Sequence, residues 1–303
     1  MSKAKSLSHP SSIESKPTFN KFDMVLTILL VLAGYWLYER SITGVNYSWR
    51  WQDAFTLIFT PRSDGSLPYF FQGLISTVRI SVWGMLLALS LGTILGIARQ
   101  STITLLRLPA NAFVQLIRNI PPLVFVFIFY FFISNQLIPL LGLDTLLREH
   151  NGDVNALQSI LFGPANLWEN LLSGILCVGL LSSAYVAEVV RSGLSSIPNG
   201  QWEAADSLGL STWVKYRYVI APQVLAAITP ALAGQAISLV KDTSIVSLIS
   251  IQEMTFVGTE IANSSGLIFE IWLIVGLIYL VLCLALSLMF RAIEKRSLKH
   301  LGR

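Results

Sequence analysis

GQWEAADSLGLSTWVKYRYVIAP, residues 200–222, interrupts a chain that is otherwise mostly apolar. The stretch is too polar to cross a bilayer, yet its composition favours helix over loop. Ser196, Pro198, Asn199 and Gly200 supply turn chemistry ahead of it. Residues 201–208 predict a short helix, running from Gln201 through Trp202, Glu203, Ala204 and Ala205 to Leu208, which Gly209 ends as a C-terminal glycine cap. Ser211 is placed to cap a second short helix over 212–218. Pro222 suits the first turn of the apolar helix that follows. Neither short helix exceeds about 12 Å at 1.5 Å per residue. Helices of that length are marginal alone in water, so packing must hold them. Ala204 and Ala205 leave the backbone open to close approach by another surface. Trp202 offers an apolar anchor, and Glu203 in the first turn favours the helix and suits a basic partner.

Working outward, the chain has 303 residues, 53% of them hydrophobic and 13% charged, against about 25% charged in a soluble domain. Apolar runs at 23–39, 69–98, 112–134, 168–190, 222–245 and 267–290 approach the length that crosses ~30 Å of hydrocarbon. They are continuous rather than alternating, which argues against a β-barrel. The fold class is therefore an all-α polytopic membrane protein with six transmembrane helices. The first run has the make-up of a signal-peptide core, but a long tail precedes it and no small-residue cleavage site follows, so it is read as a retained anchor. Residues 1–22 are a polar tail rich in Ser and Lys. Tyr35, Trp36, Tyr38, Tyr47, Trp49 and Trp51 fit an interfacial belt.

Placing the tail, the second and fourth connections and the C-terminus on one side gathers most of the 21 Lys and Arg residues there. That bias sets both termini, and residues 200–222, in the cytoplasm. The net charge of +4 is thus topology rather than a sign of nucleic acid. Cys177 and Cys283 lie in apolar runs and indicate no disulfide framework. His9, His150 and His300 have no metal-ligand spacing. Gly92-x-x-x-Gly96 and the small residues of the fifth run fit close helix packing. Pro121-Pro122 permits a break or a helix start where the third run begins. No Gly-Lys pair occurs, so the chain has no phosphate-cradling P-loop.

Glu203-Ala204-Ala205, then Gly209, then Val219-Ile220-Ala221-Pro222 resemble the EAA loop of ATP-binding-cassette (ABC) importer permeases. The family pattern ends Ile-x-Leu-Pro, so Val-x-Ala-Pro is a departure in apolar size. Gly73-Leu-Ile-Ser-Thr-Val-Arg-Ile-Ser81, Gln115-Leu-Ile-Arg-Asn-Ile-Pro-Pro122, Ala184-Tyr-Val-Ala-Glu-Val-Val-Arg-Ser-Gly193 and Leu239-Val-Lys-Asp-Thr-Ser244 extend the resemblance to the polar amino-acid branch, of histidine, glutamine and glutamate type. It covers about residues 69–290. The first span and the loop at 135–167 fall outside the shared pattern.

The apolar runs set off a cytoplasmic tail at 1–22, an N-terminal helix and periplasmic loop at 23–68 and a cytoplasmic tail at 291–303, and the resemblance implies a five-helix permease core at 69–290 with its coupling loop at 196–221. It also implies partners in a bacterial inner membrane: two ABC ATPase subunits, a second permease, identical or different, and a periplasmic or extracellular amino-acid-binding protein. ATP and Mg would be bound by the partner ATPase, with no cofactor, metal or catalytic residue in this chain. Trp202, Glu203, Ala204, Ala205, Leu208 and Gly209 would couple to the ATPase. Charges inside a span cost on the order of 2.5–3.5 kcal/mol and face a partner or a wet path, or else snorkel. Arg79 and Lys241 are therefore candidates to attract a substrate carboxylate, with Glu188, Asp242, Thr243 and Ser244 as further pathway candidates; Glu188 and Arg191 also read as a helix-surface pair. An importer for another small solute, or a secondary transporter driven by an ion gradient with Asp242 as its acid, is the alternative.

Overall fold

The computed structural model describes residues 21–45, 47–61, 65–140, 142 and 155–300. Residues 1–20 of the tail expected at 1–22 and much of the loop at 135–167 lie outside the described residues, and the first helix takes up the last two residues of that tail. The chain divides into two compact units, residues 1–50 and 51–303. In the first, α1 (Lys21–Val45) carries the first apolar run, and its described side chains are exposed along the helix. It is apolar all round, as befits a helix bathed in lipid. Beyond its end, Trp49 stacks on Tyr38 with ring centroids 5.9 Å apart and meets Tyr47 edge-on at 5.4 Å.

The second unit is also helical. In order it comprises α2 (Trp51–Phe59), α3 (Tyr69–Ala98), α4 (Thr104–Asn119) and α5 (Pro122–Ile128), the last continued by a π-helical stretch Phe129–Leu137 and a turn Ile138–Leu140. Then come α6 (Ala156–Phe162), α7 (Trp168–Ser195), α8 (Asn199–Ser207) and α9 (Ala221–Asp242). A helical turn Thr212–Val214 and a π-helical stretch Lys215–Ile220 lead into α9, and a 3₁₀ stretch Thr243–Ile249 leads out of it. Helices α10 (Met254–Ser265) and α11 (Ile268–His300) complete the chain. Six runs are long and apolar enough to cross a membrane: Lys21–Arg40, Tyr69–Ala98, Pro122–Leu140, Leu157–Ser195, Thr212–Ile249 and Ile268–Ala292. The six-span, all-helical expectation holds.

Three details differ from the sequence reading. The apolar stretch 112–134 is not one helix: α4 ends at Asn119, Ile120 is extended, and a new helix begins at Pro122. Proline lacks the N–H that would continue α4 and pushes the residue before it out of the helical region, which explains the break. The second short helix over 212–218 is not separate either, because it runs without interruption into α9. Pro222 sits in the first turn of α9's α-helical part, where its missing donor is tolerated in the wider π-helical coil that precedes it. Finally, α2 and α10 form between the apolar runs, where the sequence reading placed no helix.

The centre of the unit is α7. In its span 67% of the most apolar window is buried, against 11% for the last span, so α7 is wrapped by other helices while α11 faces outward. The closest packing is the seam between α3 and α7. A Cβ added to Gly92 would fall 2.6 Å from Val186 Cβ, and one added to Gly96 would fall 2.8 Å from Val190 Cβ. Only hydrogen at these positions lets the two backbones approach, the small-residue seam expected of membrane helices. A second apolar cluster joins α2, the start of α3, α10 and α11 through Ile58, Phe70, Met254, Leu267 and Ile271.

Candidate functional site

At the end of the bundle where α3 and α7 finish, the chain builds a self-braced hairpin of helical segments. Pro198 is extended, and α8 starts directly after it. Gly209 closes α8 in the left-handed region, at φ +67°. The Gly209 N–H donates to the Asp206 carbonyl at 2.9 Å and the Leu210 N–H to the Ala205 carbonyl at 3.2 Å. This is the paired-bond Schellman ending that a glycine makes easy. Ser211 accepts from the Val214 N–H at 3.4 Å and starts the next arm. Trp202 meets Tyr216 edge-on, with centroids 5.5 Å apart. Lys215 Nζ lies 5.9 Å from the Trp202 ring centre and 2.5 Å from Asp206 Oδ1. Gln223 donates to Gln201 at 3.2 Å. These contacts fasten α8 to the arm that becomes α9, supplying the packing that so short a helix requires.

The six coupling candidates divide by exposure. Glu203, Ala204, Leu208 and Gly209 face outward, Trp202 is half-buried, and Ala205 is only 2% exposed. The alanine pair therefore does not present two open positions: Ala205 seats α8 on its own chain, and Ala204 is the open one. Sequence reasoning passed over Trp213 and Tyr218, which are 74% and 72% exposed on the adjoining arm.

Glu188 stands at the same end of the bundle. Its Oε2 is 2.7 Å from Arg99 Nη1 and 3.0 Å from Arg118 Nη1, and its Oε1 is 2.5 Å from Arg191 Nη2. Arg99 also donates to Asn111 Oδ1 at 2.7 Å. One carboxylate thus ties the end of α3, the face of α4 and the last turns of α7. The pairing with Arg191, three residues on, was legible in the sequence, while those with Arg99 and Arg118 join distant elements.

The opposite end of the bundle holds a polar cleft of about 790 Å³. Ser66, Gln72, Ser76, Asn166, Asn170 and Gln252 contribute polar groups to its wall, and Arg79 supplies a guanidinium. Arg79 Nε donates to the Ile160 carbonyl at 2.9 Å and Nη2 to the Ser159 carbonyl at 2.8 Å. Lys241 is exposed at the end of α9, with Asp242 partly buried beside it. The Thr243 and Ser244 hydroxyls donate to the carbonyls of Val240 and Lys241, each at 2.7 Å. Arg79 lies in the cleft wall, whereas Lys241, Asp242, Thr243 and Ser244 are not among its lining residues. Glu188 binds Arg99, twenty residues along α3 from Arg79, or about 30 Å at helical rise. The six pathway candidates therefore do not converge on one point.

Glu253, which the sequence reading did not single out, lies fully buried just before α10. Its Oε1 accepts from the Phe256 N–H at 2.9 Å as the N-cap of α10. Its Oε2 accepts from Tyr279 at 2.7 Å and Thr77 at 3.2 Å. Burial pushes the carboxyl above the ordinary carboxylate range, against the opposing pull of its hydrogen bonds. Nothing local marks this residue, since an acid between two spans reads as solvated and Thr77 lies far away in sequence.

The family model for the binding-protein-dependent transport system inner membrane component matches residues 88–299. Among curated relatives, the probable amino-acid ABC transporter permease protein YckA of Bacillus subtilis is 31% identical, over 78% of this chain and 91% of that protein. The glutamine transport system permease protein GlnP of Escherichia coli is 31% identical, over 76% and 94%. The glutamate/aspartate import permease protein GltK, also of Escherichia coli, is 29% identical, over 77% and 95%. Among solved structures, an amino acid ABC transporter with histidines superposes with a TM-score of 0.60 at 28% identity, covering 76% of this chain and 94% of that one. An inward-facing MetNI methionine ABC transporter superposes at 0.54 and 17% identity, a likeness of fold. With its helical bundle, its braced hairpin and a family match over most of its length, the chain belongs to the inner membrane components of binding-protein-dependent transport systems, as a membrane permease.

Proposed function

We propose that this permease is the membrane-spanning subunit of an ABC importer for polar amino acids, driven through α8 by a separate ATPase. The names of its relatives support the substrate class. The observation that carries the coupling role is the braced hairpin, which offers Glu203, Ala204 and Leu208 outward beyond the end of α7. A helix of two turns serves as a contact element only if its own chain holds it, and the Asp206–Lys215 and Trp202–Tyr216 contacts do that. In this reading both termini and α8 are cytoplasmic. Two ATPases bind ATP and Mg, a second permease completes the pathway, and an external binding protein delivers the amino acid to the end that holds the cleft. When the ATPases close, α8 follows and α9 moves with it.

The test is a crosslinker at Ala204→Cys, the open position, with the buried Ala205→Cys as control. Capture of the ATPase from Ala204→Cys, together with loss of binding-protein-stimulated ATP hydrolysis in Glu203→Lys, is the expected result. Uptake that continues under ATP depletion, with no ATPase captured, would overturn the reading in favour of an ion-driven transporter.

A further inference from the structure

The short helix α6 is fastened to α3 entirely through its own carbonyl end. The last four carbonyls of a helix lack intrahelical partners, and two side chains of α3 supply three donors to them. Arg79 serves Ser159 and Ile160, and the Trp83 indole N–H donates to Leu161 at 3.2 Å. Trp83 also stacks on Phe162, with centroids 5.3 Å apart. The guanidinium crosses directly over Gly163, where an added Cβ would lie 2.8 Å from Arg79 Nη1. Gly163 also holds φ +76°, so glycine is required there twice over, for conformation and for room.

The cleft beside this fastening has an unbalanced charge. Arg79 and Ser159 both line it, and no Asp or Glu is among the lining residues. Among the described residues, the positive charge of Arg79 is answered by neutral carbonyl dipoles alone. The bonds from Arg79 to the two carbonyls are charge-assisted on the donor side alone, whereas a carboxylate is charged as well and takes a guanidinium in a two-point fork. A carboxylate entering the cleft is therefore a better partner for Arg79 than the two carbonyls it now holds. The side-chain amides of Asn166, Asn170, Gln72 and Gln252 and the hydroxyl of Ser76 supply neutral donors and acceptors for the rest of a small polar molecule.

Resting on the importer reading above, we propose that the cleft binds an α-amino acid whose carboxylate takes Arg79 away from Ser159 and Ile160, so that ligand entry unfastens α6. Recognition and release are then one exchange of hydrogen-bond partners at Arg79. Lys241 has no part in it, since it lies outside the cleft wall.

Backbone amide hydrogen exchange over residues 156–163, in the full chain held in lipid nanodiscs, reports the fastening directly. Saturating L-glutamine and L-glutamate are the probes, with L-glutaminamide as the carboxylate-blocked control. Losing two charge-assisted bonds is expected to speed exchange there by about tenfold or more with one or both acids, and not with the amide. Arg79→Met is expected to exchange fast whether or not ligand is present. Trp83→Phe removes only the bond to Leu161, so it is expected to keep the ligand response. Exchange in the wild type that ignores both acids, while Arg79→Met alone is fast, would make Arg79 a purely structural tie and end the proposal. An equal response to L-glutaminamide would end it too. Uptake in proteoliposomes that hold permease, ATPase and binding protein is scored separately. Amino-acid uptake without any response at α6 removes the exchange and leaves the importer reading standing.

Discussion

Glu188 and Glu253 are both carboxylates drawn away from bulk water, and their surroundings treat them differently. Glu188 is answered by three guanidinium groups. The described partners of Glu253 are all neutral, backbone N–H groups and hydroxyls. The sign of the pH dependence at Glu253 follows. Its carboxyl is raised above the ordinary value of 4.5 by burial, so the folded state holds the proton more tightly than the unfolded state. The stability this gives is fully present below that ordinary value and is lost as pH rises through the raised one. Glu253→Gln keeps the shape without the buried charge: its amide oxygen can still accept from the Phe256 N–H, and its NH2 donates to the Tyr279 or Thr77 oxygen. It is expected to melt higher than the wild type at neutral pH, with the gap closing below about pH 4.5, as followed by thermal unfolding in detergent. Glu253→Ala removes the cap of α10 and the acceptor shared by the Tyr279 and Thr77 hydroxyls, so a loss of about 1–3 kcal/mol is expected at every pH.

At the scale of elements, α8 depends on how its last turn closes. Gly209→Ala places a Cβ in the left-handed region, which costs an L-residue about 1–2 kcal/mol. The expected result is faster amide exchange over residues 199–210 and weaker stimulation of the ATPase, with unchanged membrane insertion. This element was legible from residues: Gly209, Ser211 and the helix over 201–208 fall within a residue or two of their places, because caps are local chemistry. The inward turn of Ala205 was not legible, since two adjacent alanines look alike until the Trp202–Tyr216 contact fixes which side of α8 faces the chain. The break at Ile120 was hidden for a related reason. Helix α4 buries Ala110, Val114 and Ile117, and this apolar face merges in composition with the membrane run that starts at Pro122. The six spans could be counted from hydropathy alone, whereas the fastening of α6 to α3 could not, because it joins residues some eighty positions apart.

On the scale of the whole molecule, the seam between α3 and α7 connects the cleft at one end to the Glu188 cluster and the hairpin at the other. Gly92 and Gly96 sit on it against Val186 and Val190. Gly96→Val would force the backbones apart, and overpacking of this kind typically costs about 1–3 kcal/mol. A lower melting temperature is expected, with transport impaired more than the stability loss alone accounts for, because both ends are joined through this contact. A melting temperature equal to that of the wild type would show that the seam yields without cost.

The uninterrupted run from Thr212 into α9 has a mechanical consequence. No extended residue lies between Lys215, which grips Asp206, and Lys241, so no slack separates them. A twist imposed at the hairpin arrives about 39 Å away at helical rise, as torque along a single shaft. The broader π coil at Lys215–Ile220 and Pro230, whose missing N–H opens the ladder inside α9, are the places along that shaft where rotation can be taken up.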